Sequence, residues 1–171
     1  KFLLSGADAL EAAQNIFASN MDVPVGRVVY TTMLNDRGGI ESDLTVIRHG
    51  EQEFLIVTGA GQATRDMHWI RQAIDPALRA TVTDLTSSYG VLGVMGPRSR
   101  ELLSRVCGEK LSNATFPFRT ARMVSIDGAR VLASRISYAG ELGWELYIPP
   151  EVALSVVARI WDEGADLGLR C

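Results

Sequence analysis

Arg27-Val-Val-Tyr-Thr-Thr-Met-Leu34, Asn35-Asp-Arg-Gly-Gly39 and Ile40-Glu-Ser-Asp-Leu-Thr-Val-Ile-Arg48 read as one unit. The first and third stretches are rich in β-formers. The second carries Gly38-Gly39, which supplies the positive φ angles of a hairpin turn. A second turn at His49-Gly50-Glu51-Gln52 leads into Phe54-Leu-Ile-Val57, a short buried strand. Residues 27–57 therefore predict a three-stranded antiparallel meander.

Working outward, the apolar positions switch to helical spacing. Leu10, Ala13, Ile16 and Phe17 share one face over residues 8–18, with Asp8 as an anion near the helix start. Met67, Ile70, Ala73 and Ile74 do the same over 62–74, ending at Asp75-Pro76. Two strands, 82–89 and 91–95, are expected to meet at Gly90. Gly96-Pro97 opens a helix that turns Leu102, Leu103 and Val106 inward and stops near Gly108. Strands over 119–126 and 131–137 flank Asp127-Gly128, the strongest hairpin signal in the chain. A strand over 144–148 and a helix begun by Pro149-Pro150, burying Val152, Val156, Ile160 and Trp161, complete the order. Mixed runs of helices and antiparallel strands imply an α+β fold. The helix-then-meander pattern occurs about twice, which suggests two related lobes.

Composition narrows the function. Hydrophobic residues make up 47% of the chain and charged residues 22%, values of a globular protein rather than a disordered one. The net charge is −3 and no Lys/Arg run occurs, which argues against nucleic acid as a partner. No apolar run reaches the length of a membrane span, so no membrane partner is expected. Cys107 and Cys171 make no disulfide framework, and His49 and His68 sit on separate elements, so no metal site is expected. Gly59-Ala60-Gly61 imitates a dinucleotide fingerprint, but Thr64 stands where its third glycine belongs. Ser87-Ser88 lacks the setting of a nucleophile elbow.

Two acids remain. Asp43 lies mid-strand, where Asp is depleted. Alternation puts Glu41, Asp43 and Thr45 on one face and Leu44 and Val46 on the other. That face is either solvated or lines a ligand cavity, where a carboxylate would stabilise developing positive charge. Glu141 sits in Tyr138-Ala-Gly-Glu-Leu-Gly-Trp-Glu145, between Gly140 and Gly143. It is either a solvated loop acid or a two-acceptor fork for a planar edge with paired N–H donors, the glycines admitting close approach.

The two stretches together resemble the family of the glycine-cleavage T-protein (aminomethyltransferase) and the folate domains of dimethylglycine and sarcosine dehydrogenases. The likeness rests on Leu34 to Val46 and on the pattern met by Tyr138, Gly140, Glu141, Gly143 and Glu145. It is extended by Pro24 to Thr31, Phe54 to Gly59, Gly96 to Ser99 and Phe116 to Phe118. The T-protein often has two acids before the hydrophobic residue, whereas here Ser42 precedes Asp43-Leu44. That variant looks closer to the dimethylglycine/sarcosine dehydrogenase branch.

The resemblance implies a folate-binding domain over 1–171. Its fold would be two interleaved ferredoxin-like lobes with antiparallel sheets around a central cavity. It implies tetrahydrofolate as cofactor and a small methylamine-derived one-carbon donor, with FAD in an upstream dehydrogenase domain of the same polypeptide. Asp43 would be the acid beside the reacting folate nitrogen. Glu141 would hold the pterin, and Tyr30, Thr45, Val57 and Phe118 would line the cavity. The two acids would grip opposite ends of one flat heterocycle. A further arginine and a C-terminal β-rich domain would lie past Cys171, so the chain reads as a piece of a larger polypeptide, inactive alone. The expected setting is bacterial cytoplasm or mitochondrial matrix. A stand-alone aminomethyltransferase of the glycine cleavage system and a non-catalytic folate-binding assembly factor are the alternatives.

Overall fold

The computed structural model describes residues 1–171, which divide into two consecutive compact units, Lys1–Thr86 and Ser87–Cys171. The expected interleaving of the lobes is not found. Each sheet closes on strands of its own half of the chain, because every pairing partner lies within its unit.

The first unit runs β1 (Phe2–Ser5), α1 (Ala9–Ile16), β2 (Val28–Leu34), β3 (Ile40–Gly50), β4 (Glu53–Val57), α2 (Ala63–Ala73) and β5 (Thr81–Asp84). The strands form one antiparallel sheet in the order β2-β3-β4-β1-β5. The expected meander is therefore its left part. β1 was not expected, since four residues at the chain start carry little pattern, yet it takes the central place between β4 and β5. Both helices pack on one face. Ala9, Ala12, Ala13 and Ile16 of α1 and Met67 and Ile70 of α2 meet Phe2, Leu4, Met33, Leu44, Val46, Phe54 and Ile56. Each buried Phe, Leu or Ile contributes about 1.5–3 kcal/mol by leaving water. Asp8 makes no capping bond to α1. Its carboxylate instead accepts from the Arg79 backbone N–H and Nε, both at 2.9 Å, tying the start of α1 to the approach to β5.

The second unit runs β6 (Gly90–Met95), α3 (Ser99–Cys107), β7 (Ala121–Ile126), β8 (Ala129–Ser134), β9 (Gly143–Ile148) and α4 (Ala153–Gly164), with sheet order β6-β9-β8-β7. The turn between β7 and β8 has φ of 48° at Asp127 and 81° at Gly128, the two left-handed residues that the Asp-Gly pair predicts. Leu102, Leu103, Val106, Val156 and Ile160 of the helices cover Trp144, Leu146 and Ile148 of β9. Trp144 is fully buried and meets Phe116 edge-on at 6.0 Å.

Some expected boundaries shift. The strand over 82–89 ends at Asp84, and a single helical turn over Thr86–Ser88 carries the chain from one unit to the next, so β5 and β6 belong to different sheets. Arg119 is outside β7 because its φ is 58°. Trp161 is half exposed rather than buried, since Val156 and Ile160 set the inward face of α4.

Candidate functional site

In the first unit, the face opposite the helices carries the candidate residues. On β3, Ser42, Leu44 and Val46 point to the helices, so Asp43, Thr45 and Ile47 point away. Register then aligns Tyr30 with Thr45 and Thr45 with Val57, a row across β2, β3 and β4. Asp43 stands two residues along from Thr45 on the same face. The Tyr30 hydroxyl donates to Asp43 Oδ2 at 2.7 Å. Four of the six predicted site residues are thus neighbours on one partly exposed surface. The arrangement offers a carboxylate oriented by a phenol, with Oδ1 turned to no cation, beside a hydroxyl and an apolar wall.

Glu41 was grouped with Asp43 by alternation, and the structure gives it a different task. Asn35 Oδ1 accepts from the backbone N–H of Arg37 at 3.0 Å and Gly39 at 2.9 Å, closing the hairpin, while its Nδ2 donates to Glu41 at 2.7 Å. Arg65 of α2 completes a short ion pair with Glu41. The Asn35 bond, then Arg65, holds the Glu41 carboxyl below its ordinary range. Glu41 is therefore committed to the turn.

In the second unit, Phe118 lies just before β7, half exposed, with the Arg119 guanidinium 5.7 Å from its ring. Glu141 lies on the exposed loop before β9, and Gly140 has a φ of 78° with open space around it. Gly143 has another reason to be glycine than close approach of a ligand. A Cβ there would overlap Met95 Sδ and come within 3.0 Å of the Val94 carbonyl, so it serves the pairing of β9 with β6.

Glu145 closes the Tyr138–Glu145 stretch. Alternation along β9 places Trp144, Leu146 and Ile148 inward, hence Glu145 and Tyr147 on the helix-free face. The Tyr147 hydroxyl donates to Glu145 Oε2 at 2.6 Å. Burial, then the Glu145 charge and hydrogen bond, pushes the Tyr147 phenol far above its ordinary value, so it stays a donor. Ser134, opposite Glu145 in register, is fully buried and its hydroxyl has no partner. The signal that would have found Glu145 is the two-residue period from the inward Trp144.

A surface cavity of about 360 Å³ in the second unit, lined by Met95, Gly96, Arg98, Ser99 and Leu169, includes none of the candidate residues. No group of three or more His, Cys, Asp or Glu side chains is placed to hold a metal ion. β4 is antiparallel to both its neighbours, so Gly59-Ala60-Gly61 follows no parallel βαβ strand.

The pattern of the GCVT N-terminal domain matches residues 1–171. The chain belongs to the GCVT N-terminal domain family. It is 40% identical over 170 residues to a 4-methylaminobutanoate oxidase (formaldehyde-forming) of Paenarthrobacter nicotinovorans, covering 99% of this chain and 20% of that protein. It is 39% identical over 183 residues to the mitochondrial sarcosine dehydrogenase of Mus musculus, again over 99% and 20%. This GCVT domain thus spans about a fifth of the length of both relatives. The crystal structure of glycine cleavage system aminomethyltransferase T from Bartonella henselae shares its fold. The TM-score is 0.80 at 23% identity, over 94% of this chain and 42% of that one. The resemblance to the T-protein family and its sarcosine dehydrogenase branch holds, as does the antiparallel α+β architecture. No helix of this GCVT domain is long and apolar enough to cross a membrane.

Proposed function

We propose that this GCVT domain binds tetrahydrofolate and serves one-carbon transfer in an amine oxidase or dehydrogenase of the dimethylglycine/sarcosine type, yielding methylenetetrahydrofolate. The observation that carries the reading is the Tyr30–Asp43 pair on the Thr45–Val57 row. Folate supplies the nucleophilic nitrogen that takes up the one-carbon unit. Asp43 accepts a hydrogen bond at that nitrogen and offsets the positive charge that develops there. Tyr30 fixes the carboxylate rotamer, and Thr45 and Val57 give the heterocycle a flat support. Glu141 is the proposed acceptor for the pterin N–H edge, with Phe118 as an apolar contact. The carbon donor is an iminium or formaldehyde released by amine oxidation; its carbon bonds two folate nitrogens, and the two N–H protons they give up leave with the free amine or as water. FAD, if used, belongs to a dehydrogenase part, and no residue of this chain is assigned to it.

The sarcosine dehydrogenase likeness favours this reading over a stand-alone aminomethyltransferase. Tetrahydrofolate titration of the full-length protein and of Asp43→Asn tests it. The expected result is saturable binding by both and loss of transfer in the variant. Unchanged transfer by Asp43→Asn removes Asp43 from the chemistry, and absence of binding by the native protein removes folate.

A further inference from the structure

Asp66 is 1% exposed, yet no cation faces it. It sits in the first turn of α2, where the helix dipole favours an anion. Its Oδ2 accepts from Ser42 Oγ at 2.9 Å and, in a short bond, from Thr58 Oγ1. Ser42 Oγ also lies 3.1 Å from the side-chain oxygen position of Gln62. One hydroxyl proton cannot serve two acceptors. With Asp66 taking it, the Gln62 amide turns its N–H to Ser42, giving a chain of donors that ends on the buried carboxylate.

The placement of the two hydroxyls is the informative part. Ser42 directly precedes Asp43, and Thr58 directly follows Val57. One carboxylate on the helix side of the sheet therefore grips β3 and the end of β4 beside the residues that project to the opposite, candidate face. Position 42 carries a small neutral serine against that carboxylate. An acid there would point at Asp66 within hydrogen-bond distance, and two anions in that dry site would repel.

We propose that Asp66 is a positioning residue for Asp43 and Val57, acting through Ser42 and Thr58, and that acids at positions 42 and 66 are alternatives to one another. The proposal rests on the reading of the Asp43 face as the folate site. An anchor of this kind sets reacting geometry, and small displacements of a catalytic group lower the rate steeply.

The test is steady-state transfer and tetrahydrofolate titration on the full-length protein with Asp66→Ala, Asp66→Asn, Thr58→Val, Ser42→Asp and the exchange Ser42→Asp/Asp66→Ser. Asp66→Ala is expected to lower kcat about tenfold or more with tetrahydrofolate Kd changed by less than about threefold. Asp66→Asn, which keeps an acceptor for the hydroxyls, should recover most of that loss. Thr58→Val, which keeps shape and removes one donor, should fall between. Ser42→Asp should be as damaging as Asp66→Ala, and the exchange should restore turnover. A merely structural role would lower thermal stability while the folded protein kept its kcat. That result, or an exchange variant no better than Ser42→Asp, overturns the proposal and leaves the folate reading standing. Failure of the native protein to bind tetrahydrofolate overturns both.

Discussion

Each unit presents a tyrosine hydroxyl bonded to a carboxylate on the helix-free face of its sheet, and the two pairs differ in burial. Tyr30–Asp43 joins adjacent strands, with the tyrosine 54% exposed. Tyr147–Glu145 lies along one strand, with the tyrosine at 0% exposure and its ring edge-on to Tyr89 at 6.5 Å. The same hydrogen bond thus does different work. In the exposed pair water competes for both groups, so the bond orients the acid without adding much stability. In the buried pair it compensates a desolvated phenol, so losing it leaves an unpaired polar group. Exposure decides whether such a pair is available to a ligand or committed to the fold.

The largest expected effect comes from Asp43→Asn, which should lower transfer by about 100-fold or more while the thermal midpoint stays near the native value. A comparable loss from Glu145→Gln with native Asp43 chemistry would reverse the ranking of the two pairs. On stability, Trp144→Ala should cost about 3–5 kcal/mol by urea denaturation, because it opens a cavity under Phe116 in the second unit. The tyrosines sharpen the comparison directly. Tyr147→Phe should cost about 1–3 kcal/mol by leaving Glu145 without its donor, whereas Tyr30→Phe should be near neutral in stability and felt in turnover. Equal stability losses would mean that burial does not separate the pairs.

Smaller effects lie away from the site. The Arg79 side-chain and backbone bonds hold Asp8 down to about 2, against an ordinary value of 3.8. Folded Asp8 therefore releases its proton more readily than unfolded Asp8. Its stabilisation is full above the ordinary value and disappears as pH falls toward 2. Asp8→Asn should flatten that part of an acid denaturation profile. In thiol chemistry, burial, then the Glu109 charge, pushes Cys107 up to about 11, while Cys171 is exposed. A disulfide reagent at pH 8 should modify Cys171 first.

Much of this fold was legible because local chemistry and tertiary outcome agree. Asp127-Gly128 demanded a left-handed turn and made one, and the alternation over Ile40–Ile47 put Asp43 and Thr45 together as read. Tyr30 and Val57 joined them because register follows from the hairpin and the next turn. What stayed hidden lacked a local signal. β1 is four residues long and owes its place to strands β4 and β5, distant in sequence. Asp66 sits on a helix among Arg65 and His68, where an acid ordinarily meets water, and only the packing of α2 over Ser42 and Thr58 shows its burial. Glu141 drew attention through its glycines, but one of them, Gly143, answers to Met95.

The most direct measurement is a structure of the full-length protein with tetrahydrofolate bound. The account predicts the heterocycle against Tyr30, Thr45 and Val57, with a folate nitrogen about 3 Å from the Asp43 carboxylate. Folate bound away from β2, β3 and β4, with Asp43 still facing only Tyr30, would contradict it.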